Sequence, residues 1–444
     1  MEHRTRTKLA LVSRRARQDP RFQFTSLAHL LNVAFLRGCY ESLGKEKACG
    51  IDGRSWQAYG EALDANLADL VDRLKAKRYK PLPAKRVYIP KNAHEKRPLG
   101  LPAIEDKIVQ KGIARIVEAI YEADFMACSY GFRPKRSCHQ ALKAVNDTIM
   151  SKPVHYVIEA DIQGFFDHVS HDWLMQFLRV RIRDSSLLLL IHRFLKAGYM
   201  ESGTWIRTDE GTPQGGNLSP ILANLFLHYV LDVWFVKRVQ PRMGGTCELV
   251  RYADDFICMV QHQHDAVALE RELRERFAQF GLRLHPQKTR TMSFGRTERR
   301  QARREHRRAN TFAFLGFTHY CGHSRKGRFL LGRKTSGKRF CKACTEIKEW
   351  LRQVRSVQRI SQWWPVLAAK LRGHYGYYGV SGNSRMIANF GYVTIRAVYK
   401  WLNRRSDRQS MNWEQLNAYM VRYPLPRPRI VHNLYRPSLS RETG

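Results

Sequence analysis

The segment LVRYADDFICMV, residues 249–260, places Asp254 and Asp255 side by side between two short apolar runs. Runs of this length and composition on either side of a polar break are typical of two strands joined by a turn. The pattern therefore predicts a β-hairpin with both carboxylates at its tip. Aspartate pairs also occur in ordinary polar turns. Two adjacent like charges are nevertheless costly unless a cation neutralises them, and Mg²⁺ prefers carboxylate oxygens.

A second segment, HYVIEADIQGFFDHVSHDWL at residues 155–174, carries Asp161 at the end of a strand-like run. The aromatic pair Phe165 and Phe166 and a predicted helix start follow it. A carboxylate at the end of a buried strand, ahead of a helix, is where α/β sheets often place functional groups. Two metal ions that catalyse a phosphoryl displacement need carboxylates from at least two segments. We therefore expect Asp161 to join the aspartate pair in one metal-binding set.

Two further segments suggest binding of a phosphate-bearing ligand. The stretch GTPQGGNLSPILANLFLHYVLD, residues 211–232, is a glycine-rich backbone that a bulky ligand can approach closely, followed by a long apolar helix. Lys91 and Arg97 flank a polar turn in a predicted hairpin. There the two cations could bind triphosphate oxygens, although isolated surface cations are ordinary.

The charge balance favours nucleic acid as the partner. The chain has 444 residues and a formal net charge of +38, which attracts polyanions. Its hydrophobic content of 43% is enough to fill the cores of two or three units. No apolar stretch of membrane-spanning length is evident, since the run at residues 185–195 is too short. We therefore expect no membrane association.

Cysteine use and the N-terminus favour a bacterial cytoplasmic location, with association with nucleic acid. The nine cysteines do not resemble a disulfide framework, and the N-terminus has no signal-peptide pattern. An organellar location is the alternative, because the N-terminus is rich in arginine. Cys341 and Cys344 form a lone CxxC pair. We expect a helix with both cysteines facing inward, not a zinc site.

The pattern along the chain predicts an α+β protein. Residues 22–80 have helical periodicity, short strands then alternate with helices to about Tyr320, and a largely helical part begins near Lys334. The charge run at residues 295–310 has no apolar face. It is either a solvated or disordered insertion or a contact with RNA. The aromatic and basic residues of the helical part suit either stacking on bases or a protein core.

The chain contains a series of distinct motifs, in this order: RPLGLPAIEDKIVQ (97–110), SYGFRPKRSCHQAL (129–142), ADIQGFFDHVSHDWL (160–174), GTPQGGNLSPILANLFLHYVLD (211–232), RYADD (251–255), GLRLHPQKT (281–289) and FLGF (314–317). In order and spacing they resemble the reverse transcriptases encoded by group II introns. HYGYYGV, VYKWLNRRSDR and LPRPRIVH resemble the maturase, or X, region of that family. The resemblance covers about residues 30–434.

This resemblance implies a right-hand polymerase, with fingers and a ferredoxin-like palm, followed by an α-helical thumb and maturase region. Residues 1–80 would form a helical N-terminal extension and the start of the fingers. Residues 81–325 would form the fingers and palm, and residues 326–444 the RNA-binding thumb and maturase region. Because the chain ends shortly after RIVHNLY, we expect the form that lacks a C-terminal DNA endonuclease domain.

The resemblance also implies roles for individual residues. Asp161 and Asp254 would be the principal ligands of two Mg²⁺ ions, with Asp255 as the third carboxylate and Lys288 as a candidate general acid. The residues that would contact the incoming dNTP are Lys91, Arg97, Phe166 as the steric gate against a ribose 2′-hydroxyl, and Gln214. The primer grip would be the strand Phe314, Leu315, Gly316 and Phe317. The candidate RNA-binding residues are Arg372, His374, Tyr375, Arg404 and Arg405.

The implied function is RNA-directed DNA synthesis together with binding of the parent intron RNA to assist splicing and retromobility. Expected partners are that RNA, an RNA template with a DNA primer, and target DNA, with the oligomeric state open. Two alternatives remain: a splicing cofactor or RNA chaperone without polymerase activity, and a domesticated reverse transcriptase in phage defence or repair.

Overall fold

The structure, a computed structural model, describes residues 2–90, 95–212, 215–404 and 411–435, with the backbone alone for residues 2–6. Its first part is helical, as predicted for residues 22–80. The helices are α1 (Glu2–Gln18), α2 (Val33–Glu41), α3 (Trp56–Gly60) and α4 (Leu63–Lys75). Asn32 and Ser55 begin α2 and α3 because their side chains accept hydrogen bonds from backbone N–H groups of the first turns.

The remaining elements alternate between strands and helices up to residue 335 and are helical after it. The strands are β1 (Ala84–Pro90), β2 (Lys96–Leu101), β3 (Tyr156–Asp161), β4 (Tyr199–Glu201), β5 (Thr204–Ile206), β6 (Cys247–Tyr252), β7 (Asp255–Val260), β8 (Arg290–Ser293), β9 (Thr311–Phe314), β10 (Phe317–His323) and β11 (Phe329–Thr335). The helices are α5 (Ile104–Tyr121), α6 (Cys138–Ser151), α7 (His171–Arg181), α8 (Ser185–Lys196), α9 (Ser219–Leu227), α10 (Gln263–Gln279), α11 (Arg296–Arg304), α12 (Gly337–Val357), α13 (Ile360–Tyr378), α14 (Ser384–Leu402) and α15 (Trp413–Arg422).

The central sheet has the strand order β6-β7-β3-β8, with every neighbouring pair antiparallel. Ile158 and Phe256 belong to the core on one face of this sheet, which includes residues of α5, α9 and α10. Val157 and Ile257 belong to the core on the other face, with residues of α6 and β9. Both faces are therefore covered, which explains why the central strand β7 is apolar at all five positions after Asp255.

The described residues form two smaller sheets besides the central one. In the first, of order β2-β1-β4-β5, β1 and β2 form the hairpin that was predicted to carry Lys91 and Arg97. In the second, of order β11-β10-β9, the strands form an antiparallel meander. Residues 325 and 326 lie in the loop between β10 and β11, which pair along seven residues. The expected boundary between residues 81–325 and residues 326–444 therefore lies within a hairpin.

The sequence FLGF forms a hairpin turn, so the expectation of a single strand at residues 314–317 was wrong. Phe314 ends β9, Phe317 begins β10, and the two residues pair with each other. Leu315 and Gly316 between them both have positive φ, 49° and 79°. Two consecutive residues with positive φ are the mark of the type I′ turn, whose twist matches that of the flanking strands.

The helix that follows the glycine-rich stretch is longer than its apolar pattern suggested. Helical structure continues from Ser219 to Arg242 and includes two π-helical turns, His228–Asp232 and Phe235–Val239. By length and composition this helix could cross a membrane, which corrects the expectation that no stretch of that length exists. However, 72% of its apolar window is buried inside the protein. Its hydrophobicity is thus that of a core helix.

Helices α12 to α15 surround a separate core, as expected for a helical C-terminal part. On α12 the inward stripe is Cys344, Ile347 and Leu351. Cys341 is exposed, so the expectation that both cysteines face inward was wrong for it. The position one turn before Cys344 on the inward stripe is filled by Phe340, which packs against the core.

The arginine-rich segment is ordered. Residues 296–304 form helix α11, and two of its side chains, Glu298 and Ala302, are buried. The segment has no stripe of large apolar side chains, as its sequence indicated, but it does have a buried face, which consists of a carboxylate and a methyl group.

Candidate active site

The structure brings Asp161, Asp254 and Asp255 together at one edge of the central sheet. Tyr252 pairs with Asp255, which leaves Ala253 and Asp254 as the two-residue turn between β6 and β7. Asp161, the last residue of β3, pairs with Asp255 in the neighbouring strand. The predicted hairpin tip and the predicted strand end are therefore adjacent, although they are far apart in the sequence.

Burial, together with neighbouring negative charges, raises the pKa of two carboxyl groups at this edge. Burial raises the pKa of Asp254, and the charge of Asp161 raises it further against the opposing effects of Arg97 and Arg251. Burial raises the pKa of Asp255 to about 7, and the charges of Asp254 and Asp161 contribute to that increase. A carboxyl group with a raised pKa is one whose ionised form the fold disfavours. A bound cation would reverse that effect.

Lys288 is in direct contact with one of these carboxylates. Its Nζ lies 2.6 Å from Oδ2 of Asp161. The loop before β8 positions it, because the backbone N–H of His285 donates to the carbonyl oxygen of Asp161 over 2.8 Å. The predicted general acid and a predicted metal ligand are thus ion-paired.

A fully buried arginine supports the turn that carries Asp254. Arg251 has an exposed fraction of 0% and donates to both carboxylate oxygens of Asp232, at 2.7 and 2.5 Å. It also donates to the side chains of Asn224 and Ser129. A further bond of 2.9 Å runs to the carbonyl oxygen of Ala253, next to Asp254. Arg251 was not among the site residues predicted from the sequence. A lone arginine within an apolar strand was the available signal.

Gly131 allows a second segment to support the same turn. A Cβ atom on Gly131 would lie 2.3 Å from the backbone nitrogen of Ala253. Ala253 itself has a φ of 57°, a left-handed conformation that L-residues adopt at a cost. Asn224 donates to the carbonyl oxygen of Gly131 over 2.6 Å. The motif SYGFRP therefore contributes a backbone surface against which the turn rests.

We predict that Gly131→Ala lowers the polymerisation rate by about 100-fold, because the added methyl group must push the turn and Asp254 aside, and displacements near 1 Å can cost that much. Overpacking should also lower the free energy of unfolding by about 1–3 kcal/mol. Steady-state primer extension and urea denaturation measure the two effects. Gly337→Ala is the matched control, since no atom lies within 4 Å of its Cβ position. Equal activity in both variants would contradict the support role.

The residues predicted to contact a nucleotide are only partly described. Arg97 lies on β2, and its charge acts on Asp254. Phe166 is half-buried in the short 3₁₀ turn after β3, and it lines a cavity of about 290 Å³ together with Pro98, Gly100 and Thr212. The backbone N–H of Thr212 donates to the carbonyl oxygen of Phe166 over 2.7 Å. Lys91 and Gln214 lie outside the described residues.

The FLGF hairpin lies against the carboxylates. The backbone N–H of Leu315 donates to the carboxyl group of Asp255. The carbonyl oxygen of Leu315 accepts a bond of 3.0 Å from the hydroxyl group of Tyr377 on α13. The predicted primer grip therefore connects the sheet edge to the helical C-terminal part.

The carboxylate set fits magnesium, although it is not a complete metal site. Within the residues that the structure describes, no group of three or more His, Cys, Asp or Glu side chains is close enough together to hold a metal ion unaided. Mg²⁺ is usually bound by one or two carboxylates together with substrate phosphates and water. Asp161, Asp254 and Asp255 supply suitable oxygens. The pKa values of the latter two are raised, first by burial and then by neighbouring carboxylates, and a bound cation would lower them.

The candidate RNA-binding residues have mixed surroundings. Tyr375 is only 4% exposed and belongs to the C-terminal core, so it cannot stack on a base. His374 stacks on Phe390 with 3.7 Å between ring centres, and burial lowers its pKa to about 4. It is therefore uncharged at neutral pH. Arg372 and Arg404 are exposed. Arg405 lies outside the described residues.

Comparison with known proteins agrees with this geometry. Residues 89–319 match the family described as reverse transcriptase (RNA-dependent DNA polymerase). This chain belongs to the reverse transcriptase family. The matched part runs from the β1–β2 hairpin to β10 and so includes all three carboxylates, Phe166, Lys288 and the FLGF hairpin. The predicted enzyme class, RNA-directed DNA polymerase, is the class of this family.

Individual relatives of this reverse transcriptase include intron proteins. Protein YkfC of Escherichia coli (strain K12) is 36% identical over 251 residues, which cover 50% of this chain and 66% of that protein. Group II intron-encoded protein LtrA of Lactococcus lactis subsp. cremoris is 36% identical over 222 residues, covering 50% and 37%. Nuclear intron maturase 1, mitochondrial, of Arabidopsis thaliana is 33% identical over 97 residues, covering 21% and 13%.

These alignments confirm the resemblance to group II intron reverse transcriptases and maturases. They span about two thirds of the first of these relatives and little more than a third of the second. The alignments therefore show that this chain belongs to the reverse transcriptase family. They do not show that it shares the activities of the full-length relatives.

Proposed function

We propose that this chain copies RNA into DNA by adding dNTPs to the 3′-hydroxyl group of a primer. The observation that carries the proposal is the meeting of Asp161 with the Asp254–Asp255 turn at one sheet edge, in a chain of the reverse transcriptase family. In this proposal the sheet β6-β7-β3-β8 is the palm of a right-hand polymerase. The β1–β2 hairpin belongs to the fingers, and α12–α15 form the thumb and maturase region, with the boundary near residue 336.

The protein's own groups have distinct tasks in this reaction. Asp161, Asp254 and Asp255 would hold two Mg²⁺ ions, which supply electrostatic stabilisation of the attacking and leaving oxygens when bound. Arg97 would bind phosphate oxygens of the dNTP, as a guanidinium group does well. Lys288 carries protons at Nζ beside Asp161. From there it would donate one to the departing pyrophosphate.

Phe166 would select deoxyribonucleotides. We predict that Phe166→Ala raises ribonucleotide incorporation relative to dNTP incorporation by roughly 10- to 100-fold. Removing the ring would open space for the 2′-hydroxyl group of the sugar, and a pocket that excludes one small group typically gives selectivity of about that size. Phe166→Tyr retains the ring and should retain the discrimination. Single-nucleotide extension with each nucleotide type measures the ratio, and unchanged discrimination in the alanine variant would refute the assignment.

A second proposed activity is binding of an intron RNA to assist its splicing and mobility. The net charge of +38 and the relatives named as intron-encoded protein and intron maturase support it. The partners in this proposal are the intron RNA, an RNA template with a DNA primer, and target DNA. The protein contributes cations and a docking surface, whereas the RNA supplies its own reacting groups.

Primer extension by the purified protein on an RNA template, with Mg²⁺ and dNTPs, tests the proposal. Template-dependent DNA product supports RNA-directed polymerisation. Tight RNA binding without any product would instead favour a splicing cofactor. That alternative has to explain why Asp254 and Asp255 remain together, since buried like charges are costly where they have no task.

A further inference from the structure

Helix α11 stands at the end of the central sheet opposite the carboxylates. It follows β8, which runs antiparallel to β3, so that Ser293 pairs with Tyr156 while Asp161 lies at the far end of β3. At about 3.3 Å per residue, the length of β3 separates the two ends by about 16 Å. The helix therefore lies outside the candidate active site.

A buried carboxylate holds the C-terminal end of this segment in place. Glu298 is 1% exposed and accepts hydrogen bonds from Arg307, Ser293 and the backbone N–H of Asn310, at 2.6, 2.6 and 2.9 Å. Burial alone would raise the pKa of Glu298, but these bonds outweigh it and hold the pKa below its ordinary value. The residues after α11 thus fold back onto its first turn.

Contacts of two arginines fix the start and middle of α11. Arg296 donates to the carbonyl oxygen of Met150 at the end of α6 and lies over the ring of Phe329. Arg299 donates over 3.4 Å to the carbonyl oxygen of Gly327 in the turn between β10 and β11. The helix is consequently docked beside that turn, and two stretches of cationic sequence become neighbours.

We define the basic ridge as the exposed cations of these two stretches. Its members are Arg300, Arg303, Arg304 and Arg308 from the α11 segment and Arg325, Lys326 and Arg328 from the β10–β11 turn. In the part of the chain that the structure describes, none of these seven side chains forms an ion pair with a carboxylate. The two glutamates of the α11 segment, Glu298 and Glu305, are both paired with Arg307.

This arrangement is unfavourable unless an anion binds it. Like charges spaced three or four residues apart destabilise a helix, and α11 carries such pairs at Arg296 and Arg300 and at Arg300 and Arg304. An ordinary solvated face would alternate its charges. Here a specific buried contact at Glu298 maintains the helix despite the repulsion. Arginine is also the residue best suited to bidentate contact with phosphate.

We propose that the basic ridge is a second nucleic-acid contact, which binds the phosphodiester backbone at a distance from the polymerisation site. The chemistry required is a row of phosphates, which RNA and DNA share. This inference rests on the proposed function only in that it takes the chain to act on nucleic acid. It assigns that contact to α11 and the neighbouring turn, where neither the family motifs nor the candidate active site lies.

The test compares two variants that lose equal charge. In the ridge variant, glutamine replaces Arg300, Arg303, Arg304 and Arg308. In the scattered variant, glutamine replaces the exposed residues Arg179, Arg183, Arg238 and Arg271. Fluorescent hairpin RNA and hairpin DNA of the same stem sequence are titrated with each protein at several salt concentrations. Affinity and its dependence on salt are measured.

We expect the slope of log K against log salt to become shallower by about 3 in the ridge variant, since each lost phosphate contact removes about 0.7–0.9. The scattered variant should keep most of the wild-type slope. Equal slopes in the two variants would overturn the proposal, because they would reduce the effect to net charge. A change with the RNA hairpin and not with the DNA hairpin, or the reverse, identifies the nucleic acid that the ridge contacts.

A third variant tests the role of the buried carboxylate. Glu298→Gln retains every ridge cation but removes the charge that pairs with Arg307. We expect the slope of log K against log salt to become partly shallower. An unchanged slope would show that the ridge cations bind nucleic acid without being held in place by Glu298, contrary to the proposal. Primer extension on a short template keeps this test separate from the proposed polymerase activity. The ridge variant should extend that template as the wild type does. If the wild type showed no extension, the proposed polymerase activity would be refuted, but the comparison of nucleic-acid binding would remain valid.

Discussion

Asp254→Asn should lower primer extension by roughly a thousand-fold or more, equivalent to about 4 kcal/mol of transition-state stabilisation. The amide has the same shape as the carboxylate but lacks the charge that a bound cation needs. RNA affinity should remain nearly unchanged, because one carboxylate is a small part of a field with net charge +38. Extension kinetics and RNA titration measure the two quantities on the same preparation.

The same variant should be at least as stable as the wild type at neutral pH. The pKa of Asp254 is raised by burial and by the charge of Asp161, so its ionised form costs free energy in the folded protein. That cost is present at a pH above the folded pKa and disappears as the pH falls below the ordinary aspartate value. The uncharged amide of the variant avoids this cost. A melting temperature that is unchanged or higher, together with lost activity, is the expected combination.

Asp72→Asn is the matched control, because its side chain is 73% exposed and its ion pair with Lys75 is long, at 3.9 Å. It should change neither activity nor RNA binding. If Asp254→Asn kept wild-type extension, the metal-binding assignment would be wrong. If RNA binding disappeared together with extension, the two activities would not have separate sites.

Arg251→Met should lower the free energy of unfolding by about 3–5 kcal/mol, the usual cost of leaving one partner of a buried ion pair alone. Both Arg251 and Asp232 have fully buried side chains. The substitution also removes the donors to Asn224 and to the carbonyl oxygen of Ala253. Urea denaturation measures the stability, and primer extension measures the kcat and KM.

The double variant Arg251→Met, Asp232→Leu separates stability from positioning. Replacing a buried ion pair by apolar side chains of similar volume is often close to neutral, so much of the stability should return. The support for Ala253 does not return, and the kcat should stay about 100-fold low with little change in KM. Full recovery of the kcat would show that Arg251 acts through stability alone.

Arg181 provides the control pair. It is 1% exposed and donates to Asp124 over 2.5 Å and to the carbonyl oxygen of Ala16 over 3.1 Å, so these bonds do not involve the turn that carries Asp254. Arg181→Met should therefore cost a comparable amount of stability, whereas its kcat at a temperature where the protein stays folded should match the wild type. This contrast distinguishes a buried arginine that positions the turn from one that only stabilises the core.

The sequence by itself determined the local elements of the site. The short apolar runs on either side of Asp254 and Asp255 were sufficient to predict the hairpin, and the apolar run before Asp161 predicted a strand. Strand and turn patterns depend on neighbouring residues and on covalent geometry, which is why they can be inferred without the fold. The motif order was enough to predict the family.

Only the tertiary structure decided which residues support the turn and which are buried. Arg251, Gly131 and Asn224 meet at the turn from separate segments. Tyr375 resembles a base-stacking residue in the sequence, yet it lies in the core because α13 presents that face to α14. Glu298 holds α11 through partners before and after that helix. Burial and distant hydrogen bonds arise from how the elements pack, and no periodicity within one element specifies them.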